Sequence, residues 1–395
     1  MVYLCGGNCL IVCQHHYKSI MKFTINSKAL LSRLLAANKA VSNRPTISIL
    51  GNFLFELNGH IVTVTASDTD NVVVARIEAS DAEGVGKVCI DAKRVTELLK
   101  AMPDCDVSFS VDDNTHAVVI RYANGKYNLT GLPGEEFPVV REEGTEAKGV
   151  LTLPATQVLN ALDKVGFAVG GDGMVQVLNG VYWDIKTDAI TFVASDTRVL
   201  AKYRSTQVVP GVEMGFTLPG KSVSLLRAII GKQSEIKLTV YDKTALFEGN
   251  DFVMRSTLYV GRYPDYNRII NTNQPISVTI DRQDFINAIS RVSICADSQT
   301  SLLQLNISNG AIDLVAQDLN FNVGGEERIS CDYFGSPLTI GFSSAYLKGL
   351  LSAMDTQNIV MKLSESTRPG LFLPAENDEY GELTLLCMPM SVKTV

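Results

Sequence analysis

The chain has 395 residues, of which 46% are hydrophobic and 19% are charged, and its formal net charge is −7. This length supplies material for several packed cores, and the even composition excludes a disordered chain. A negative net charge argues at first against nucleic acid as a partner, so the distribution of the charge has to be considered.

Residues 1–20 (MVYLCGGNCLIVCQHHYKSI) precede the first regular pattern and are interpreted as a leader outside the fold. Their apolar run is short, is interrupted by Gly6, Gly7 and Asn8, and follows no basic region. The segment therefore predicts neither a signal peptide nor a membrane span. Its three cysteines and two histidines could bind a metal ion, but they lack the usual paired spacing. The simpler interpretation is that Met21 is the natural start.

The next part of the chain alternates helical and strand patterns. An alternating strand ends in Ala66-Ser67-Asp68, and helical patterns flank it on both sides. In chain order the pattern predicts a helix over 27–41, strands over 47–57 and 62–72, a helix over 91–102, and two closing strands over 106–113 and 116–130.

The same order of elements then recurs twice. Asp68, Asp196 and Asp318 align, and they are separated by 128 and 122 residues. This period is too long for a solenoid repeat but suits a domain. The second copy has helices over 154–168 and 219–231 with strands over 175–185 and 190–200, and the third has helices over 281–295 and 343–354 with strands over 302–309 and 312–322.

The sequence therefore predicts the α+β class, with three tandem copies of one domain. The predicted domains cover residues 21–148, 149–272 and 273–395, and polar linkers are predicted at 141–149 and 271–275.

No group of residues has the pattern of a catalytic site. Outside the leader the only histidines are His60 and His116, which we interpret as solvated turn residues rather than catalytic bases. One aspartate at the same place in each copy fits a side chain that accepts hydrogen bonds from the following backbone. We expect no enzyme activity, no cofactor and no metal ion.

Five cysteines belong to the repeats and share no metal-binding spacing. We interpret them as reduced core thiols of a cytosolic protein. They are Cys89, Cys105, Cys295, Cys331 and Cys387.

The charge is segregated between the helices and the rest of the chain. The six predicted helices contain twelve basic and five acidic residues, so they carry +7 and leave −14 elsewhere. Ordinary solvated lysines would explain part of this excess. The size of the segregation also fits helices that share a face and meet an anionic partner there. Single Lys and Arg residues without interleaved aromatics suit contacts to a phosphate backbone.

Several motifs together resemble the bacterial DNA polymerase III β subunit family, the sliding clamps. The resemblance covers Met21 to about Val392. The motifs are MKFTI from Met21, Arg44-Pro45-Thr46 leading into Ile49-Leu50-Gly51-Asn52, Leu132-Pro133 with Phe137-Pro138, Leu178-Asn179-Gly180, Ala194-Ser195-Asp196, Arg262-Tyr263-Pro264-Asp265-Tyr266 and Met388-Pro389-Met390.

The resemblance implies a head-to-tail homodimeric ring that encircles double-stranded DNA without sequence preference and confers processivity on the replicative polymerase. Helices would line the hole, and ring closure would join edge strands of the first and third domains. The implied interface residues are Tyr127, Leu129, Ile294 and Cys295. The expected location is the cytoplasm, in association with the nucleoid.

The resemblance also implies which residues meet DNA. Arg44, in a loop of the first domain, is the best match to a family residue that touches DNA directly. The other expected DNA-binding residues are Lys28, Arg33, Lys39, Lys93, Arg94, Lys100, Lys164, Lys221, Arg227, Arg291 and Lys348.

A second implied site is a hydrophobic pocket for short linear motifs of the polymerase, the clamp loader, repair polymerases and ligase. Ordinary core packing remains an open alternative for Leu178, Leu200 and Ile269. The expected pocket residues are Leu178, Ser195, Thr197, Arg198, Leu200, Pro264, Ile269, Gly370, Met388 and Met390.

The chain departs from the family pattern at this pocket. After the aspartate the family usually has a small residue, His, a basic residue and Leu, whereas this chain has Thr197-Arg198-Val199-Leu200. Its end after Met390 also differs from the usual Arg-Leu. These departures put the peptide preference in doubt more than the fold. Two other functions remain open: a scaffold that binds peptides without encircling DNA, and a carboxylate-based hydrolase at the repeated aspartates.

Overall fold

The structure is a computed structural model that describes residues 20–42, 45, 47–138, 146–171, 175–231, 233–318 and 320–392. The chain divides into two compact units, Met1–Arg141 (unit 1) and Glu142–Val395 (unit 2). Residues 1–19 of the predicted leader and the predicted DNA contact Arg44 lie outside the described residues.

Unit 1 contains two antiparallel sheets and two helices. Their elements are β1 (Ile20–Asn26), α1 (Ser27–Ala37), β2 (Asn52–Asn58), β3 (Ile61–Ser67), β4 (Asn71–Glu78), β5 (Asp81–Glu83), β6 (Gly86–Asp91), α2 (Ala92–Ala101), β7 (Asp106–Asp112), β8 (Ala117–Tyr122), β9 (Gly125–Thr130) and β10 (Leu132–Pro133). One sheet has the order β5-β1-β7-β8-β9, and the other includes β10-β6-β2-β3-β4. Phe23, Phe55 and Phe109 stack in the core, with the rings of Phe23 and Phe109 4.8 Å apart.

Unit 2 contains two further copies of this arrangement. The first comprises β11 (Gly149–Pro154), α3 (Ala155–Val165), β12 (Gly180–Ile185), β13 (Ile190–Ser195), β14 (Val199–Ser205), β15 (Met214–Pro219), α4 (Gly220–Ile230), β16 (Glu235–Val240), β17 (Thr244–Glu248) and β18 (Phe252–Thr257). The second comprises β19 (Ile276–Asp281), α5 (Arg282–Val292), β20 (Leu302–Ser308), β21 (Ala311–Asp318), β22 (Val323–Ser330), β23 (Leu338–Ser343), α6 (Ser344–Ser352), β24 (Asn358–Leu363), β25 (Gly370–Pro374) and β26 (Gly381–Cys387).

The two copies in unit 2 share one sheet. Its order is β15-β12-β13-β14-β26-β25-β24-β19, so β14 of the second domain pairs with β26 of the third. The register places Val199 opposite Cys387 and Leu200 opposite Leu386. This junction positions the candidate pocket described below.

Each helix begins directly after a strand, and the start is set by a local signal. The Asn26 and Asp91 side chains accept hydrogen bonds from backbone N–H groups in the first turns of α1 and α2. Pro154 and Pro219 precede α3 and α4 with φ near −60° and −55°. Caps of this kind stabilise a helix end by about 1 kcal/mol, and the fixed φ of proline suits the same position. All six predicted helices are confirmed, with slightly shorter bounds.

Two parts of the strand prediction were wrong. The segments 47–57 and 175–185 each begin with a 3-10 turn, at Ser48–Gly51 and Gln176–Leu178, before the strand starts. The apolar residues of these turns are buried in packed clusters. In the sequence they therefore give the same alternation of apolar residues that a strand would give. Segment 116–130 is a hairpin of β8 and β9 that turns at Ala123-Asn124. Each domain therefore closes with three strands and not two.

The predicted core thiols are partly confirmed. Cys89 and Cys387 are buried, whereas Cys105, Cys295 and Cys331 are half-buried, and all five are free. Burial raises the pKa of the Cys89 and Cys387 thiols to about 12. Within the described residues, no helix has both the length and the apolarity that a membrane span requires.

Candidate functional site

The repeated aspartates each hold a tight turn, as their position predicts. In unit 2 the Asp196 carboxylate accepts hydrogen bonds from the backbone N–H groups of Arg198 and Val199, at 2.9 and 2.8 Å. Asp68 and Asp318 accept equivalent bonds from the residues two and three places further on. This prediction is confirmed, and it assigns the aspartates a structural role in all three domains.

The turn at Asp196 has a constrained backbone. Thr197 adopts a φ of 73°, in the left-handed region that side chains other than glycine rarely enter. The Ser195 hydroxyl donates to the carbonyl of Val199 at 2.7 Å and accepts from the N–H of Thr197 at 3.2 Å. The surrounding hydrogen bonds therefore impose the conformation that the threonine alone would disfavour.

An apolar cavity of about 260 Å³ opens beside this turn. Seven of the expected pocket residues line it, and they are Leu178, Ser195, Thr197, Leu200, Pro264, Ile269 and Met388. Four lining residues were missed, and they are Val199, Tyr263, Tyr266 and Leu386. The motif Arg262-Tyr263-Pro264-Asp265-Tyr266 and the apolar residues before Met388 are the signals that could have found them.

The pocket floor is also part of the hydrophobic core. Leu178 and Leu200 are buried in one cluster with Val193, Leu371 and Leu386. Core packing and pocket lining are therefore compatible for these two leucines. Ile269 differs, because it is exposed at the rim of the cavity.

Three expected pocket residues do not line the cavity. Arg198 is exposed beside it, and its carbonyl accepts a hydrogen bond from the N–H of Met388 at 2.8 Å. Gly370 is buried at the start of β25, where a Cβ atom would approach Leu363 to 2.8 Å. The N–H of Met390 donates to the carbonyl of Gly341, which places it against β23.

Two tyrosines give the pocket a polar component. The Tyr266 hydroxyl donates to the Asp184 carboxylate at 2.7 Å. The ring of Tyr263 stacks on Tyr182 at 4.8 Å, but its buried hydroxyl has no hydrogen-bond partner in the part of the chain that the structure describes. Burial raises the pKa of both Tyr263 and Tyr266, so both phenols stay protonated.

Most of the expected DNA-binding side chains are exposed. The exposed residues are Lys28, Lys39, Lys93, Arg94, Lys100, Lys221, Arg227 and Arg291. Arg33 and Lys348 are half-buried. Of the exposed residues, Lys39 lies just beyond the end of α1 and not within it. Arg227 pairs with Asp163, and Arg291 pairs with Glu327.

Lys164 differs from this set. Its side chain is only 6% exposed, and its ammonium group pairs with Asp355. This burial and this ion pair argue against contact between the Lys164 ammonium and a DNA phosphate, so Lys164 is left out of the proposed set below.

The expected interface residues lie on or beside two sheet edges. Strand β9, with Tyr127 and Leu129, is the last strand of its sheet, and β22 is the first strand of another. Tyr127 stacks on Tyr122 at 6.1 Å. Ile294 is 82% exposed and belongs to a 3-10 turn that packs near β22, and Cys295 follows it. Phe321, which was not among the expected residues, lies between β21 and β22 and is 76% exposed.

Three family models match the chain in order. They are the DNA polymerase III beta subunit N-terminal domain at residues 21–141, the central domain at 152–265 and the C-terminal domain at 267–391. Together they cover almost all of the described residues.

Curated relatives and solved structures agree with these matches. The chain is 26% identical to "Beta sliding clamp" proteins of Synechococcus elongatus and Pseudomonas aeruginosa, over 95% and 94% of this chain and 100% of each relative. A crystal structure of a DnaN sliding clamp from P. aeruginosa bound to griselimycin matches with a TM-score of 0.88 and 25% identity, over 94% of this chain and 100% of that one. The DNA polymerase sliding clamp from Bacillus subtilis matches with a TM-score of 0.86 and 25% identity, over 95% and 100%.

Proposed function

The chain belongs to the DNA polymerase III beta subunit family, and from that premise we propose that it is a DNA sliding clamp that confers processivity on a polymerase. The observation that carries this function is the full-length match of three successive clamp domains, which together span residues 21–391. The structure supplies two helices for each of these domains. The clamp acts by binding, and we propose that it catalyses no reaction.

The proposed contact with DNA is electrostatic and weak at each residue. Lys93, Arg94 and Lys100 on the exposed side of α2 illustrate the pattern, since single charges at separate positions suit phosphate contacts. Such contacts exchange easily as DNA moves, so topology rather than affinity would retain the protein. The proposed set consists of Lys28, Arg33, Lys39, Arg44, Lys93, Arg94, Lys100, Lys221, Arg227, Arg291 and Lys348, without Lys164.

Ring closure is proposed to join two copies through β9 of one and β22 of the other. Both strands lie at the ends of their sheets, where unpaired backbone groups favour addition of a strand. Lys126 on β9 and Glu326 on β22 offer opposite charges for such a pairing. The exposed Ile294 and Phe321 beside β22 would be covered.

The pocket in unit 2 is proposed to bind short linear motifs of the replicative polymerase, the clamp loader, repair polymerases and ligase. Its apolar lining includes Met388, whose flexible side chain suits several peptides. We further propose domain limits of 21–148, 149–272 and 273–395, and a cytoplasmic location in association with the nucleoid.

The deciding experiment is retention on DNA. The protein is loaded onto a nicked circular plasmid with a clamp loader, and bound protein is measured by gel filtration before and after the plasmid is cut once. A clamp stays on the circle and is released from the linear form. Equal retention on both forms would exclude a topological link and favour the peptide-binding scaffold.

A measurement of mass in solution is the necessary control. Light scattering should give a dimer, because a ring needs two copies of three domains each. A monomer at the concentrations used for loading would contradict the proposed ring closure.

A further inference from the structure

The cavity in unit 2 is apolar inside and basic at its rim. Arg198 stands between the lining residues Thr197 and Val199, and Arg262 directly precedes the lining residue Tyr263. Both arginines are exposed. The Lys202 ammonium lies 5.7 Å from the centroid of the Tyr266 ring, which also lines the cavity.

The acidic groups near the cavity are already engaged. Asp265 forms an ion pair with Arg268 at 3.0 Å. Asp196 accepts the two hydrogen bonds that hold the turn, and Asp184 accepts the hydroxyl of Tyr266. Each of these three carboxylates therefore already has a partner other than Arg198 and Arg262.

Arg198 and Arg262 form no ion pair with any residue in the described part of the chain. Each arginine partly offsets the rise in the pKa of one tyrosine. Burial and then Asp196 raise the pKa of Tyr346, and Arg198 partly lowers it. Burial and then Asp184 raise the pKa of Tyr182, and Arg262 partly lowers it. Tyr182 stacks on the lining residue Tyr263, so Arg262 lies beside the cavity.

We propose that this pocket selects peptides in which acidic residues flank the apolar anchor, and that Arg198 and Arg262 read the acidic flank. The inference rests on the proposed function of the pocket and specifies the class of peptide that it binds. Arg198 occupies a position where the family usually has histidine, so its part of the preference is particular to this chain, whereas Arg262 belongs to a motif that resembles the family's.

The overall charge of the protein makes the rim more selective. The chain carries −7 in total, so an acidic peptide is repelled from most of the surface and attracted only where cationic side chains are concentrated. The apolar floor supplies affinity, whereas the rim charges supply discrimination and faster association. A peptide is favoured over nucleic acid because the cavity between the charges is lined by Leu178, Leu200 and Pro264, which suit aliphatic anchors.

The test compares two fluorescein-labelled peptides that share a pair of leucine anchors and differ only in flanking Asp or Asn residues. Affinity is measured by fluorescence anisotropy in about 0.15 M salt. Exposed ion pairs contribute at most about 1 kcal/mol each, so each arginine contact should favour the Asp peptide by about two- to fivefold. The preference should shrink in 1 M salt, where the screening length falls to about 3 Å.

Variants assign the preference to individual residues. Arg198→Gln and Arg262→Gln should each weaken binding of the Asp peptide more than binding of the Asn peptide and so reduce the preference. Arg198→Lys keeps the charge and should keep most of the preference. Lys243→Gln is the matched control, because Lys243 is exposed on the turn between β16 and β17 and does not line the cavity.

The outcomes separate this inference from the proposed function. Equal binding of both peptides overturns the acidic preference and leaves the pocket function standing. Binding of neither peptide overturns the pocket function itself. An equal loss of preference in Lys243→Gln overturns the local role of the two arginines. Displacement of the Asp peptide by a short single-stranded oligonucleotide as readily as by unlabelled peptide would assign the rim to nucleic acid instead.

Discussion

Replacing Asp196 with alanine should damage the pocket and unit 2 together. The substitution removes the acceptor for two backbone N–H groups, those of Arg198 and Val199. A hydrogen bond to a charged group contributes about 1.5–3 kcal/mol, but Asp196 is half-buried and water will replace part of each bond. We therefore expect unit 2 to lose about 1–3 kcal/mol of unfolding free energy.

The same substitution should also weaken peptide binding. The left-handed Thr197 costs on the order of 1 kcal/mol and persists only while the turn is fixed around it. Without Asp196 the turn can relax, and the cavity wall formed by Ser195, Thr197 and Val199 moves with it. We expect affinity for an apolar peptide to fall by about tenfold, which corresponds to about 1.4 kcal/mol.

The repeat supplies a matched control, because Asp68 makes the equivalent bonds in unit 1. The only tryptophan, Trp183, is buried in β12 of unit 2, so its fluorescence reports the unfolding of that unit. Asp196→Ala should lower the midpoint of the Trp183 transition by roughly 2–4 °C per kcal/mol, whereas Asp68→Ala should leave it unchanged. The reasoning is refuted if Asp68→Ala weakens peptide binding as much as Asp196→Ala does, or if Asp196→Ala changes neither quantity.

Three further predictions concern single polar side chains. Lys164→Met removes a buried ammonium and keeps an aliphatic side chain of similar length. The midpoint of the Trp183 denaturation curve should therefore stay the same or rise, and retention on circular DNA should not change. A large loss of either would show that the charge is needed. Tyr263→Phe removes a buried hydroxyl without a partner in the described residues, so thermal unfolding should show a gain of up to about 1 kcal/mol, and a loss would reveal a missed hydrogen bond. Burial raises the pKa of Asp378, but hydrogen bonds from Asn160, Tyr203 and two backbone N–H groups outweigh it and hold the pKa below its ordinary value of 3.8. A pKa that is lower in the folded state than in the unfolded state gives stability that is present above about pH 4 and is lost as the pH falls through the folded-state value. Asp378→Asn should therefore flatten the acid limb of a plot of unfolding free energy against pH. An unchanged acid limb would contradict this prediction.

The helices could be predicted because their signals are local. Asp91 and Asp281 act as N-caps, and the apolar spacing within each helix marks the buried face. The starts of the predicted strands 47–57 and 175–185 were wrong because the signal there is not local. Ile49 and Leu178 are apolar because distant residues pack on them, and the same spacing serves a strand or a 3-10 turn equally well.

The site was only partly predictable from the sequence for a similar reason. The pattern of charge on α3 gives no sign that Lys164 is buried, because its partner Asp355 lies 191 residues away. Leu386 lines the cavity because β14 pairs with β26, a contact between strands that are almost as far apart in sequence. Tyr263 lines it while stacked on Tyr182 of β12, which also lies far away along the chain. The resemblance to the family identified seven of the residues that line the cavity. The local pattern of apolar and polar residues alone would have identified none of them.

The register of that pairing explains where the chain places its basic residue. Val199 lies opposite Cys387 on β26 and is buried, so a charged side chain at position 199 would lose its hydration without a partner. Position 198 lies in the turn just before β14 and is exposed. Moving the basic residue one place earlier therefore carries the charge from a buried strand position to the exposed turn beside the pocket. The departure at Thr197-Arg198-Val199 thus leaves the turn and its pocket intact while it changes the charge that an incoming peptide meets first.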